Sequence, residues 1–108
     1  MKTKKTEATH IEIEQSYQYR DNDWWDWEVH LNGPAEELKN VSSVVYQLHN
    51  TFPKPVREVS TRRNRFKLKT SGWGNFKIYA RVKMKDGSAR VLEHDLELRY
   101  PDGTLTDK

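Results

Sequence analysis

The sequence predicts an all-β domain, an immunoglobulin-like antiparallel β-sandwich of about 7–8 strands. Three observations predict it. Apolar and polar residues alternate with a period of two in several short segments, the pattern of half-buried strands. Turn-forming clusters (Asp21-Asn22-Asp23, Asn32-Gly33-Pro34, Asp86-Gly87, Pro101-Asp102-Gly103) separate those segments at short intervals. Only residues 34–40 have even a mildly helical composition, enough for one turn. A chain of 108 residues is long enough for one core and too short for two. The domain is placed at residues 10–101, between a flexible N-terminal segment at 1–9 and a polar tail at 102–108. Hydrophobic residues make up only 34% of the chain, so the core leans on four Trp, five Tyr and three Phe, each burying more area than an aliphatic residue.

The elements follow in order. Residues 1–9 are polar and aperiodic, as expected of a frayed terminus. Ile11, Ile13, Tyr17 and Tyr19 share one parity against Glu12, Glu14, Gln18 and Arg20, which gives a first strand. Trp25, Trp27, Val29 and Leu31 alternate with Asp26, Glu28, His30 and Asn32 in a second. Trp24 has the opposite parity to Trp25, so only one of the two can be core and the other faces a groove or solvent. Val44, Tyr46 and Leu48 form a third strand, and Val56 to Val59 a short fourth. A basic, exposed segment at 61–65 precedes a strand through Phe66 and Leu68, and Thr70 to Asn75 reads as a loop. Phe76, Ile78, Ala80, Val82 and Met84 give the longest alternation; Asp86-Gly87 turns it into a hairpin whose partner runs to Tyr100.

The totals exclude several functions. Nineteen basic against 16 acidic residues leave a net charge of +3, a mixed surface rather than the footprint of a dedicated DNA-binding domain. Arg57, Arg62, Arg63, Arg65, Lys67 and Lys69 lie close in sequence, but alternating Lys on a strand reads as its solvated face and a guard against edge pairing. Zero cysteines remove disulfides, thiolate metal sites and a Cys nucleophile. No pair among His10, His30, His49 and His94 has metal-motif spacing, so no metal or cofactor is expected. His49, Ser71 and Asp95 could be drawn as a triad, but no nucleophile-elbow sequence accompanies them, and the reading is not an enzyme. With no signal-like N-terminus and no window of membrane-spanning length, the expectation is a soluble chain of the cytoplasm, or of the nucleus in a eukaryote.

Two loops concentrate the remaining chemistry. Leu48-His49-Asn50-Thr51-Phe52-Pro53-Lys54-Pro55 presents an imidazole, an amide, a hydroxyl and a phenyl ring on a turn stiffened by two prolines. Gly72-Trp73-Gly74-Asn75 sets one tryptophan between glycines that allow close approach of a ligand to the main chain. Loops of a sandwich cluster at its ends. At a shared end, Phe52 and Trp73 would flank His49 and Thr51 in a slot suited to a planar group with polar edges. The alternative is that both rings plug the end of the core.

These segments resemble a known family. Trp27-Glu28-Val29-His30-Leu31-Asn32-Gly33, then Val44 through Pro55, then Ser71-Gly72-Trp73-Gly74-Asn75-Phe76 are similar in order and spacing to the YEATS domain, over about Trp24 to Tyr100. The resemblance extends to the prokaryotic branch as much as to the nuclear one. It implies an immunoglobulin-like sandwich that recognises acylated lysine, chiefly acetyl- and crotonyl-lysine, with the acyl amide held between Phe52 and Trp73. It implies that Thr51 offers its hydroxyl to the amide, that His49 lines the pocket, and that the main chain at Trp73 and Gly74 bonds the acyl carbonyl. Gly72 and Asn75 complete the set, Asn75 standing where many members have Glu or Gly. A further family aromatic would be answered by Trp24 or Trp25. The implied partner is an acylated lysine peptide or protein. In the prokaryotic branch it extends to other modules of a parent signalling protein, with a different ligand or none as the alternative.

Overall fold

A computed structural model describes residues 10–106; the flexible segment expected at 1–9 and the last two residues of the expected tail lie outside the described residues. Among the described residues, seven strands form two antiparallel sheets. Strands β1 (Glu12–Tyr19), β2 (Trp25–Asn32) and β5 (Leu68–Gly72) make one, in the order β1-β2-β5. Strands β3 (Val41–Gln47), β4 (Val56–Val59), β6 (Phe76–Met84) and β7 (Ala89–Leu96) make the other, in the order β4-β3-β6-β7. This is the immunoglobulin-like sandwich that the alternation predicts. The helical stretch is the single turn α1 (Ala35–Leu38).

The core follows the period-two rows. On β2, Trp25, Trp27, Val29 and Leu31 are all buried while their neighbours are partly exposed. They face Val44 and Tyr46 of β3 and Ile78, Ala80 and Val82 of β6 across the sandwich, all fully buried. Tyr46 donates its hydroxyl to the carbonyl of Phe66 at 2.8 Å, and burial pushes the phenol well above its ordinary range, fixing it as a neutral donor.

Four expectations give way to the structure. Phe66 is buried as its parity suggested but is not in a strand: it ends a 3-10 turn at Arg63–Arg65, and Asn64, Arg65 and Phe66 all have positive φ. Left-handed backbone costs about 1–2 kcal/mol per residue; burial of the Phe66 ring and the Tyr46 hydroxyl on its carbonyl offset it. Thr70, Ser71 and Gly72 belong to β5 rather than to a loop, because they pair with β2 in the register Trp25↔Gly72 and Trp27↔Thr70. Tyr17 keeps the inward parity but is 39% exposed on an edge strand. Strand β7 stops at Leu96, and the chain beyond is not a free tail: Arg99 bridges Leu105, the N–H of Thr106 donates to the carbonyl of Leu98 at 3.0 Å, and Thr106 is buried.

One side-chain amide closes the seam between the sheets. Gln15 of β1 donates from Nε2 to the carbonyl of Glu97 at 2.7 Å and accepts at Oε1 from the N–H of Glu97 at 3.1 Å, as a strand residue would. The Nε2 of His94 lies 2.6 Å from the same Oε1. Burial pushes the His94 imidazole below its ordinary range, against the opposing influence of Asp95 and Glu97. The unfolded chain therefore takes up this proton at a higher pH than the folded one. The stabilisation is present above the ordinary imidazole range and is lost as pH falls through it. Melting temperatures measured from pH 8 down to pH 5 should decline more steeply for the native chain than for His94→Gln; parallel curves would remove His94 from the acid response.

Candidate functional site

The strand registers bring three loops to one end. The pairs Tyr19↔Trp25, Trp25↔Gly72, Gln47↔Val56 and Phe76↔Leu96 all lie at the same pole of the sandwich. The connections at 20–24, 48–55 and 73–75 therefore converge. Between them is a cleft of about 380 Å³. Trp24, His49, Thr51, Phe52, Gly72, Trp73, Gly74 and Asn75 line it, which brings the two sequence-defined loops together, with Pro53, Ser71 and Phe76 added to the lining. No Lys, Arg, Asp or Glu is among these residues.

Trp25 is the one expected residue left out. It is fully buried, donates its indole N–H to the carbonyl of Arg99 at 2.9 Å, and packs edge-on to Tyr19 and Tyr100. Opposite parity puts Trp24 on the rim, 42% exposed, where Trp73 is 54% exposed. Two exposed indoles thus stand on two sides of one cleft.

The floor is aromatic. Phe52 stands perpendicular to Trp27 with ring centres 6.1 Å apart and tilts against Phe76 at 5.4 Å; His49 lies 6.1 Å from Phe76. Phe52 is half-buried and packs against the core, yet it still lines the cleft. Its loop is short and closed, with the N–H of Leu48 on the carbonyl of Pro55 and the N–H of Phe52 on the carbonyl of His49. Beneath, the indole N–H of Trp27 is buried with no protein acceptor. It lies 3.8 Å from the point where a Cβ on Gly72 would sit.

The polar groups have a direction. The N–H of Thr51 donates to Nδ1 of His49 at 3.3 Å, which requires a lone pair on that nitrogen. The Thr51 hydroxyl, 2.9 Å from the same Nδ1, is then also a donor to it. The network thus assigns the imidazole proton to Nε2, and the Thr51 Oγ1 lone pairs are available as an acceptor. The main-chain N–H groups of Trp73 and Gly74 enter no loop or turn hydrogen bond among the described residues. The cleft is thus lined by a hydroxyl, an imidazole, main chain and flat apolar rings.

Other sequence-defined groups are used elsewhere. The side chain of Asn75 turns away from the cleft: Nδ2 donates to the carbonyl of Thr106 at 2.7 Å and Oδ1 accepts from the N–H of Leu98 at 2.9 Å. His49, Ser71 and Asp95 do not form a triad, since Nδ1 of His49 is taken by Thr51 and Asp95 faces Lys77 at 4.0 Å. Of the basic residues, Arg65 bonds Asn32, Lys67 faces Glu28 at 3.8 Å and Arg57 bonds the carbonyl of Lys54. No three His, Asp or Glu side chains come together as a metal site among the described residues, and none of their helices is long and apolar enough to cross a membrane. Phe76 was legible only as the first core residue of its strand; its place at the strand end puts it in the cleft as well.

Comparison with known proteins gives one consistent answer. The family model for the prokaryotic YEATS domain matches residues 25–97. The "Protein AF-9 homolog" of Saccharomyces cerevisiae is 33% identical over 76 residues, covering 68% of this chain and 33% of that protein. The homolog from Eremothecium gossypii is 37% identical over 84 residues, covering 75% of this chain and 39% of that protein. The chain thus spans about a third to two fifths of the length of these curated relatives. Among solved structures, the Yaf9 YEATS domain recognising an H3K122suc peptide superposes with a TM-score of 0.69 at 24% identity, over 90% of this chain and 77% of that one. The Yaf9 YEATS domain bound to H3K27ac gives 0.62 at 22% identity, over 90% and 74%.

The two glycines of the cleft differ, and the difference is measurable. A Cβ on Gly72 would meet Phe52 at 3.5 Å and Trp27 at 3.8 Å, ordinary contacts, and its backbone is regular strand. Gly74 has a φ of 88°. Gly72→Ala should hold or raise stability by up to about 0.5–1 kcal/mol, whereas Gly74→Ala should lower it by about 1 kcal/mol. Urea unfolding of both variants checks this; equal effects would contradict the geometry.

Proposed function

The chain belongs to the YEATS domain family, and from that premise we propose that it is a non-enzymatic recognition module that captures an acylated lysine, acetyl or crotonyl, on a peptide or protein. The observation that carries the reading is the uncharged aromatic cleft in which Phe52, Trp73 and the His49–Thr51 pair converge. The similar Yaf9 domains, one bound to H3K27ac and one recognising an H3K122suc peptide, support it.

In this reading the acyl amide enters between Phe52 and Trp73. Its N–H donates to Oγ1 of Thr51, whose own proton is committed to His49. Its carbonyl accepts from the main chain at Trp73 and Gly74, where Gly74 keeps a backbone that a side chain would strain. Trp24 forms the rim on the third side. Discrimination against unmodified lysine comes from what the cleft lacks: no carboxylate lines it to pair with a desolvated ammonium. No step makes or breaks a covalent bond.

Acetyl- and crotonyl-lysine peptides titrated into the intact chain should bind, and the matching unmodified lysine peptide should not. Trp73→Ala should remove about 1–3 kcal/mol of affinity, roughly a 5- to 150-fold weakening, with little loss of stability because the indole is exposed. Phe52→Ala should lower affinity and also cost on the order of 1–3 kcal/mol of stability, since that ring packs on Trp27 and Phe76. No binding of either acyl peptide at millimolar concentration would overturn the reading, and would favour a family interaction domain with another ligand.

A further inference from the structure

The segment that follows β7 hydrogen-bonds to residues beside both rim tryptophans. It leaves the sheet after Leu96, reverses through Pro101–Gly103 and returns to Thr106, closed by hydrogen bonds from Tyr100 to Thr104, from Gly103 to Tyr100 and from Thr106 to Leu98. On one side the Asn75 amide grips both limbs of this reversal, donating to the carbonyl of Thr106 at 2.7 Å and accepting from the N–H of Leu98 at 2.9 Å. Asn75 is two residues from Trp73 in the same three-residue connection. On the other side the Tyr100 hydroxyl donates to Oδ1 of Asp23 at 2.6 Å, and the carbonyl of Arg99 accepts from the Trp25 indole at 2.9 Å. Asp23 and Trp25 flank Trp24 in sequence. One short segment therefore fixes the loop that carries each rim tryptophan.

We propose that Leu98–Thr106 is a brace that sets the spacing of Trp24 and Trp73, with Asn75 and Tyr100 as its positioning residues. Neither touches the ligand in the reading above, on which this inference rests; each acts through the loop beside it. The bond types explain why these residues serve. Asn75 supplies one donor and one acceptor on a rigid plane, which matches the Thr106 carbonyl and the Leu98 N–H that it bonds. An aspartate at 75 would keep the acceptor for Leu98 but set a carboxylate against the Thr106 carbonyl. A phenylalanine at 100 would keep the ring packing on Tyr19 and Trp25, with ring centres at 5.6 and 5.1 Å, and remove the hydroxyl that donates to Asp23.

The test uses the intact chain and two measurements. In acetyl- and crotonyl-lysine peptide titrations, Asn75→Ala and Tyr100→Phe should each weaken binding about three- to tenfold, the range of a lost hydrogen bond. The double variant should lose less than the product of the two, because both release the same segment. Amide hydrogen exchange without ligand is the independent arm. Asn75→Ala should speed exchange at 20–25, to which the Asn75 amide makes no hydrogen bond, and Tyr100→Phe should speed it at 73–75. If each variant loosens only its own side and the affinity losses multiply, the brace is overturned. Should the native chain bind no acyl peptide, the functional reading fails while the exchange arm still decides the brace. Should Asn75→Ala fail to fold, the conservative Tyr100→Phe carries the test alone.

Discussion

The parity of β2 is the constraint on which the rest depends. Side chains alternate across a strand, so Trp25 and Trp27 must face one way and Trp24 the other. Trp27 faces in and becomes the support on which Phe52 and Phe76 rest. Trp25 faces in and becomes the anchor for Tyr19, Tyr100 and the carbonyl of Arg99. Trp24 is left on the rim. A register slip of one residue would exchange these roles, exposing two indoles and burying charged Asp26 and Glu28. Because β2 also pairs with β5 through Trp25↔Gly72, the same register decides where the Trp73 connection begins.

Charge is arranged to leave the cleft lining neutral. The ionic residues face one another on the sheet surfaces: Lys77 lies 3.1 Å from Glu93, Lys83 3.6 Å from Glu58 and Arg20 2.6 Å from Asp26. Exposed pairs of this kind contribute little stability, about 0–1 kcal/mol. Their contribution lies elsewhere: with ionic groups engaged outside, the cleft is lined by rings, a hydroxyl and main chain. A neutral amide can shed its water there without meeting an unpaired charge, and an ammonium cannot.

Much of this was legible in the sequence, and the failures share a cause. Period two located the strands, the hairpin at Asp86-Gly87 and the exclusive choice between Trp24 and Trp25. What it missed depends on main-chain partners, which composition does not encode. Thr70-Ser71-Gly72 has loop-like residues and becomes strand only because β2 is there to pair with. Phe66 has strand-like parity and a left-handed backbone held by a distant tyrosine. The polar residues after Tyr100 look like a tail until their N–H and carbonyl groups are followed to Leu98, Asn75 and Tyr100. Asn75 entered the ligand set with the Ser71-to-Phe76 segment of the resemblance; its amide bonds the main chain of Leu98 and Thr106.

Phe52 shows why the structural and functional readings of the first loop need not compete. As an end-plug it packs on Trp27 and Phe76; as a wall it lines the cleft with His49 and Thr51. A half-buried ring can do both, because part of its surface packs on the core while the rest lines the cleft. Being held is what makes it useful. A wall free to rotate would give up side-chain entropy each time a ligand ordered it, at about 0.5–1.5 kcal/mol per ring. Trp73 has no such support from the core and is 54% exposed. Its order has to come from the connection around it: the Gly74 backbone, and Asn75 bound to the returning chain. The two walls are thus pre-organised by different means, one by packing and one by hydrogen bonds. In the proposed reading, a ligand between them is gripped by one rigid wall and by one whose rigidity the C-terminal segment controls.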